Sequence, residues 1–272
     1  MVLSVHRPVD ITTTAISNLT EFKNQFGISD LHKSKHLGTQ ADGCNLYQFV
    51  RKDNLFYDYK LNNCNFRGNN WDLESTKPKI GFFGCSFTFG EMVHAKHIFP
   101  TLVANSIGYN GFNFGVPASS VQRIGRSFSA ANKLFDFDYA VITLPDWNRI
   151  NYLNDDDRGV RYMDLSAWSM NSGIPHEILA DLRLYQSLSV SACVQRLIDT
   201  VDWMLDIAQY KSTKVILSTW SDEMYFSLTE LYPEYTIGKF PIVDTVADND
   251  HPAEQSHQRY ADMIVRRINE LT

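Results

Sequence analysis

The chain has 272 residues, 44% of them hydrophobic, with 25 Lys and Arg against 31 Asp and Glu and a formal net charge of −6. That length and apolar content suit one α/β core with an elaboration, and an acidic balance without any basic stripe argues against binding a nucleic-acid backbone. The first residues, MVLSVHRPVDITTTAISN, lack the charged start and apolar core of a signal peptide, and no apolar run reaches the length of a membrane span. The expectation is therefore a soluble protein, cytoplasmic where it is made, with no membrane partner.

Four cysteines, Cys44, Cys64, Cys85 and Cys193, are widely spaced with no CxxC, so they read as free thiols rather than as a disulfide framework or a zinc site. Residues 1–76 are rich in Asn, Asp, Tyr and Phe and lack a sustained rhythm after a helix expected near Thr14 to Phe26. They read as an N-terminal extension packed on a main domain of residues 77–272. Within the extension, Leu46 to Tyr59 alternates aromatic and polar residues like a hairpin, with Lys52, Asp53 and Asn54 as its turn. His32 and His36 stand four apart, a spacing that would share a helix face for a metal. With no third ligand nearby, they are expected to be a solvated surface pair.

The main domain begins with KIGFFGCSFTFG, Lys79 to Gly90. Ile80 to Phe83 form a continuous apolar run, the pattern of a parallel strand covered on both faces. Gly84 allows a sharp turn, and Ser86 follows at the start of a helix, beside backbone N–H groups that suit a cap or an oxyanion. Phe99 to Ile107 predicts a helix with Pro100 in its first turn and Gly108 closing it. Phe112 to Gly115 reads as a second strand, Ser119 and Ser120 as caps, and Val121 to Phe135 as the next helix. Tyr139 to Leu144 is a third buried strand that stops at Pro145-Asp146-Trp147-Asn148.

Asn151 to Pro175 is polar, carries the run Asp155-Asp156-Asp157, and reads as a long loop whose aspartates are a solvated tip rather than a cation site. Glu177 to Tyr210 has helical spacing, and Val215 to Thr219 is the fourth strand. A second irregular stretch leads to Phe240 to Val246. A terminal helix then follows His251-Pro252, with Tyr260, Ile264 and Ile268 on one face. Strands alternating with helices predict a parallel sheet, whose ligands lie at the C-terminal strand ends. Ser86, Gly115 and Asn148 all fall there. His94, His97 and His257 are expected to be solvent-exposed.

Three pieces together resemble the SGNH hydrolases, also called the GDSL esterase and lipase family. GCSFT, Gly84 to Thr88, resembles the block that carries the nucleophilic serine. FNFGVPASS, Phe112 to Ser120, resembles the block whose glycine donates an N–H to the oxyanion, and DNDHP, Asp248 to Pro252, has the DxxH spacing. NFRGNN followed by KPKIGFFG is similar to the lead-in of many microbial and phage members. The resemblance spans roughly residues 60 to 272. It implies a three-layer α/β/α fold, flavodoxin-like, with a parallel sheet of about five strands, and needs no cofactor or metal.

Residue by residue, the resemblance implies Ser86 as nucleophile, His251 as base, Asp248 as its orienting acceptor, and the N–H groups of Ser86 and Gly115 with Asn148 as oxyanion donors. A serine hydroxyl needs an imidazole to take its proton, and the imidazole needs an acceptor to fix its tautomer. Three departures stand out: Cys85 replaces the usual aspartate, Ala118 replaces a second glycine, and PDWNR places Asn148 one position late. Asp250 is expected to cap the terminal helix, leaving Asp248 to hold the ring.

The implied activity is hydrolysis of a carboxylic ester through an acyl-serine. Trp71, Trp147, Trp168, Tyr162 and Asn151 suggest O-deacetylation of a carbohydrate as the substrate class. The alternatives are a non-catalytic glycan-binding or structural module, virion-associated if the chain is phage-derived, and an acyltransferase using the same serine.

Overall fold

The computed structural model describes residues 11–28, 35–50, 56–147, 149–156, 159–165 and 190–272. Its centre is a parallel sheet made of β4 (Lys79–Gly84), β5 (Asn110–Gly115), β6 (Tyr139–Leu144) and β9 (Lys214–Thr219), in the order β5-β4-β6-β9. Every residue of β4 and β9 after the first lysine is buried, as is all of β6, because helices cover both faces. Neighbouring residues point to opposite faces, so Phe83, Ile142 and Leu217 join one core while Phe82, Val141 and Ile216 join the other.

The first core is closed by α1 (Ile11–Phe26), α4 (Val121–Leu134) and α5 (Val190–Lys211), through Phe22, Phe128 and Val201 among others. The second is closed by α3 (Phe99–Ile107) and the terminal α7 (Glu254–Leu271), through Phe99, Val103, Tyr260, Ile264 and Ile268. This is a three-layer α/β/α arrangement. The chain leaves β4 for β5 on one side and then crosses to β6 on the other, so β4 marks the point where the strand order reverses. In such sheets a crevice opens at the C-terminal ends of the strands there, which is where Ser86 lies.

Several expected elements are present with close boundaries. α3 begins with Pro100 in its first turn and ends at Gly108 in the left-handed conformation. Ser120 caps α4, its hydroxyl accepting from the Arg123 N–H, whereas Ser119 donates to the Val116 carbonyl instead. The hairpin in the extension is β2 (Asn45–Val50) against β3 (Phe56–Leu61), with β1 (Lys35–Thr39) on its far side. Its turn, and His32, lie outside the described residues. His36 sits in β1, so a helix-face spacing does not apply to it.

Three expectations are corrected. The segment after Asn151 is not a plain loop: β7 (Ile150–Asp156) pairs antiparallel with β8 (Gly159–Leu165), placing Asp155 and Asp156 at the end of a strand. Polar residues at most positions hid the period-two pattern. The stretch after Thr219 contains α6 (Asp222–Leu231), whose buried residues are only Met224 and Leu228, too few to announce a helical stripe.

The sheet has four regular strands rather than about five. Its fifth position is taken by an extended segment beside β9, with Ile237 N–H donating to the Leu217 carbonyl at 3.0 Å and Phe240 N–H to Thr219 at 2.8 Å. The first part of the expected helix, residues 177–189, lies outside the described residues, and none of the described helices is long and apolar enough to cross a membrane.

The N-terminal elements contribute residues to the first core. Phe22 packs against Phe66 and Phe114, and Trp71 stacks on Phe66 and touches Phe112, Phe114 and Phe135. Trp71 is thus a packing residue, not a free platform for a sugar. Arg67 is buried between the rings of Tyr59 and Phe89, and its guanidinium donates to the carbonyls of Phe89, Gly90 and Val93. It ties the extension to the turn that follows Ser86. Burial draws the Arg67 guanidinium down to about 10, still charged at neutral pH, against the opposing pull of Tyr59 and Glu91.

Candidate active site

Ser86 opens α2 (Ser86–Phe89), a single turn fed directly by β4. The Phe89 N–H donates to the Cys85 carbonyl, the N–H groups of Gly90 and Glu91 donate to the Ser86 carbonyl, and Gly90 ends the turn at φ 78°. Gly84 is required by crowding, since a Cβ there would lie 2.0 Å from Thr88 Oγ1 and 2.9 Å from the Thr143 carbonyl oxygen. Cys85 is fully buried in the second core. Ser86 itself is only 5% exposed, so its side chain is almost covered.

Asp248 and His251 meet within one self-contained loop. Asp248 Oδ2 lies 2.6 Å from His251 Nδ1, while Oδ1 accepts from the N–H groups of Asp250 and His251 at 3.0 Å each. The loop closes on itself through the Val246 N–H to the His251 carbonyl, and Asn249 turns it with φ 60°. Burial works to raise the Asp248 carboxyl, but the His251 and Asp250 N–H groups and the imidazole outweigh it and draw it down to about 2. Asp248 is therefore ionised at any ordinary pH, and an imidazole facing it is held with its proton on Nδ1.

Asp250 does not cap the terminal helix. Asp244 does so from farther back, with Oδ2 accepting from the Gln255 N–H at 2.9 Å and Oδ1 from the Ser256 N–H at 2.7 Å. The Ser256 hydroxyl also bonds the same carboxylate. Burial would raise the Asp244 carboxyl, but the Ser256 hydroxyl and these N–H groups bring it below its usual value.

The other ring nitrogen, His251 Nε2, points to the segment after Ser86. It lies 3.5 Å from Glu91 Oε2, and the ring packs at 5.7 Å against Phe87, the residue next to Ser86. Among the described residues no hydrogen bond joins Ser86 Oγ to His251. The structure thus brings Asp248 and His251 together and sets the imidazole beside α2, with Glu91 Oε2 3.5 Å from Nε2.

Gly115 plays a different part from the one expected. Its N–H donates to Asn113 Oδ1 at 2.8 Å, and Asn113 Nδ2 donates in turn to the Thr88 carbonyl at 3.1 Å, so that N–H is already committed. What Gly115 supplies is room: a Cβ there would lie 2.3 Å from Phe89 N and 2.6 Å from the Thr88 carbonyl carbon. Both are backbone atoms that cannot swing aside. Gly115→Ala is expected to destabilise the fold by about 2 kcal/mol or more, as overpacking against fixed atoms does, and to displace α2. A urea midpoint equal to that of the unmodified protein would contradict this.

The next turn, after β5, brings a further backbone N–H to the same end of the sheet. Val116 N–H donates to the Gly84 carbonyl at 3.1 Å, which sets the turn beside β4, and Ser119 N–H closes it onto the Val116 carbonyl at 3.2 Å. Ala118 sits there at φ 62°, the conformation that favours glycine, and its N–H has no hydrogen-bond partner among the described residues. The signal was available, because a glycine is what the resemblance places at this position. Asn148 lies outside the described residues, as does Trp168, and the side chains of Tyr162 and Asn151 are not described.

His257 is not exposed. It is fully buried under the second core, stacked on Phe99 and edge-on to Phe240, with Nδ1 accepting from the Phe99 N–H at 3.2 Å. Burial, helped by the positive charge of Arg67, pushes its imidazole down to about 3 from an ordinary value of 6.5. The unfolded chain therefore binds a proton below pH 6.5 that the folded chain refuses until about pH 3. Stability is full above 6.5 and falls on acidification through that window, by up to about 1.4 kcal/mol per pH unit. His257→Gln is expected to flatten the fall in urea midpoint between pH 7 and 5, and an unchanged slope would refute the assignment.

His94 is exposed as expected, while His97 is half-buried and lies 3.5 Å from Glu254 Oε1. The four cysteines are free. Among the described residues no group of three or more His, Cys, Asp or Glu side chains is placed to hold a metal ion.

No protein-family model matches the chain, and no curated protein matches it either. Solved structures do, and they include GDSL-family and SGNH-family esterases and acylhydrolases. One is a protein described as lipolytic, of the G-D-S-L family, from Desulfitobacterium hafniense, with 14% identity over 69% of this chain and 98% of that one, at a TM-score of 0.44. Another is an acetyl xylan esterase from Butyrivibrio proteoclasticus, with 13% identity over 81% of this chain and 68% of that one, at a TM-score of 0.46. A third is the psychrotrophic esterase EstA of a Pseudoalteromonas species, with 11% identity over 71% and 97% of the two chains, at a TM-score of 0.45. At these values the likeness concerns the course of the backbone, and no residue role is carried over from it.

Proposed function

We propose that the protein is a serine esterase of the SGNH type, hydrolysing a carboxylic ester through an acyl-serine intermediate. The observation that carries this reading is the 2.6 Å pair of Asp248 and His251, which fixes an imidazole tautomer with Nε2 toward the turn that begins at Ser86. A histidine held in this way is a general base without a proton on the working nitrogen. Ser86 Oγ attacks the ester carbonyl as its proton passes to Nε2, the alcohol leaves with that proton, and water repeats the sequence to release the acid. In this reading the oxyanion is held by the Ser86 N–H at the start of α2 and by the Ala118 N–H, which has no partner among the described residues, with Asn148 as a further donor.

O-deacetylation of a carbohydrate is the substrate class proposed. Trp147 lies at the C-terminal end of β6 with part of its surface exposed, and amphipathic rings of this kind stack on sugars. A panel of nitrophenyl esters of rising acyl length tests the reading, with acetate expected to be cleaved fastest. Cleavage that improves toward long chains would point to a lipase, and none at any length would overturn the esterase reading.

One observation favours a second reading. His251 Nε2 faces Glu91 at 3.5 Å and is not hydrogen-bonded to Ser86. A non-catalytic module that kept the fold, binding glycan or serving as a structural part, would tolerate that arrangement. In that case acetylated sugars would bind without being cleaved.

A further inference from the structure

Two buried donors near the candidate site have no partner among the described residues. Arg149 Nη1 and Trp220 Nε1 are both shielded from solvent and make no hydrogen bond among the described residues. Such groups are rare, because a buried donor left unpaired carries its full desolvation cost. These two are also neighbours: the Arg149 guanidinium carbon lies 5.6 Å from the centre of the Trp220 ring. Both residues keep part of their surface exposed.

Their place in the fold links them to the candidate chemistry. Trp220 directly follows β9, and Arg149 lies in the segment leaving β6, so both occupy the same sheet edge as Ser86. Trp220 packs on Phe87 at 5.5 Å, and Phe87 also meets His251 at 5.7 Å and Phe240 at 5.3 Å. One aromatic ring separates the indole from the imidazole. Among the described residues Arg149 makes no ion pair, although acidic residues outnumber basic ones in the chain.

We propose that Arg149 and Trp220 form a subsite for a carboxylate on the substrate, so that the preferred ester is carried by an acidic sugar. This rests on the esterase reading and adds its specificity. A planar guanidinium presents paired N–H groups that match a carboxylate, and the indole N–H supplies a further donor. The face of the indole holds the guanidinium in place while its edge donates.

The test compares acetylated glucuronic acid with acetylated glucose at fixed ionic strength. The unmodified protein is expected to favour the acidic ester in kcat/KM by at least about tenfold, the scale of a charge-assisted contact. Arg149→Met is expected to bring the ratio close to one. Arg149→Lys, which keeps the charge but not the fork, should recover it only in part, and Trp220→Phe should lower it several-fold, as loss of a single donor does. Thermal unfolding of each variant identifies any that fails to fold.

Direct titration with glucuronate and glucose, followed by calorimetry on the unmodified protein and on Arg149→Met, separates this proposal from the esterase reading. Glucuronate binding that needs Arg149, without hydrolysis of any ester, would support the subsite and sink the esterase. Hydrolysis with equal rates on the two sugars, or a preference that Arg149→Met leaves intact, would sink the subsite and leave the esterase. Glucuronate binding no tighter than glucose would also overturn it.

Discussion

Ser86→Ala is expected to lower ester hydrolysis by at least about a thousandfold, the scale on which removing a serine nucleophile leaves only binding and oxyanion stabilisation. The fold should survive. Ser86 is nearly covered, yet its hydroxyl makes no hydrogen bond among the described residues, so removing it strands no partner and empties only the space of one oxygen. The turn is held by backbone bonds from Phe89, Gly90 and Glu91, and by Gly84 and Gly115, none of which depends on the side chain. Circular dichroism and the urea midpoint should match those of the unmodified protein. Retention of more than about a tenth of the activity would remove Ser86 from the chemistry.

Asp248→Asn is expected to lower kcat by about a hundredfold or more, because an amide facing Nδ1 can favour the wrong imidazole tautomer. Asp250→Asn should change little. The Asp250 side chain neither meets His251 nor caps the terminal helix, a task that Asp244 performs, and its backbone N–H to Asp248 persists in the variant. The two variants differ by the same small chemical change two residues apart, so one assay on a short-chain ester compares them directly. A larger loss at Asp250 would reverse the assignment.

What the sequence made legible follows from how local each signal was. β4 and β6 could be bounded closely because a strand covered on both faces is a continuous apolar run, as at Ile80 to Phe83 and Tyr139 to Leu144. α3 carried its own start and stop in Pro100 and Gly108. The Asp248 and His251 pairing was legible because both residues belong to one short loop, whose geometry is set by the Asp248 carboxylate taking the loop's own N–H groups.

Features that depend on distant chain were not legible. The cap on the terminal helix comes from Asp244, eleven and twelve residues before the N–H groups it meets, and nothing local distinguishes it from Asp250. His257 looked like a surface residue among Glu254, Gln255 and Gln258, but it stands three residues before Tyr260 on the same buried face, and its ring accepts from the distant Phe99 N–H. The commitment of the Gly115 N–H depended on the side chain of Asn113 reaching forward along its own strand. Arg149 and Trp220 meet only because β6 and β9 are neighbours in the sheet.

The central claim is that Ser86 is a nucleophile activated by His251. Its most direct measurement is labelling with a fluorophosphonate, followed by intact mass and peptide mapping. The account predicts one phosphonyl adduct on Ser86, absent in Ser86→Ala and formed far more slowly in His251→Ala. A protein that takes up no label, or takes it up on a different serine, would contradict it.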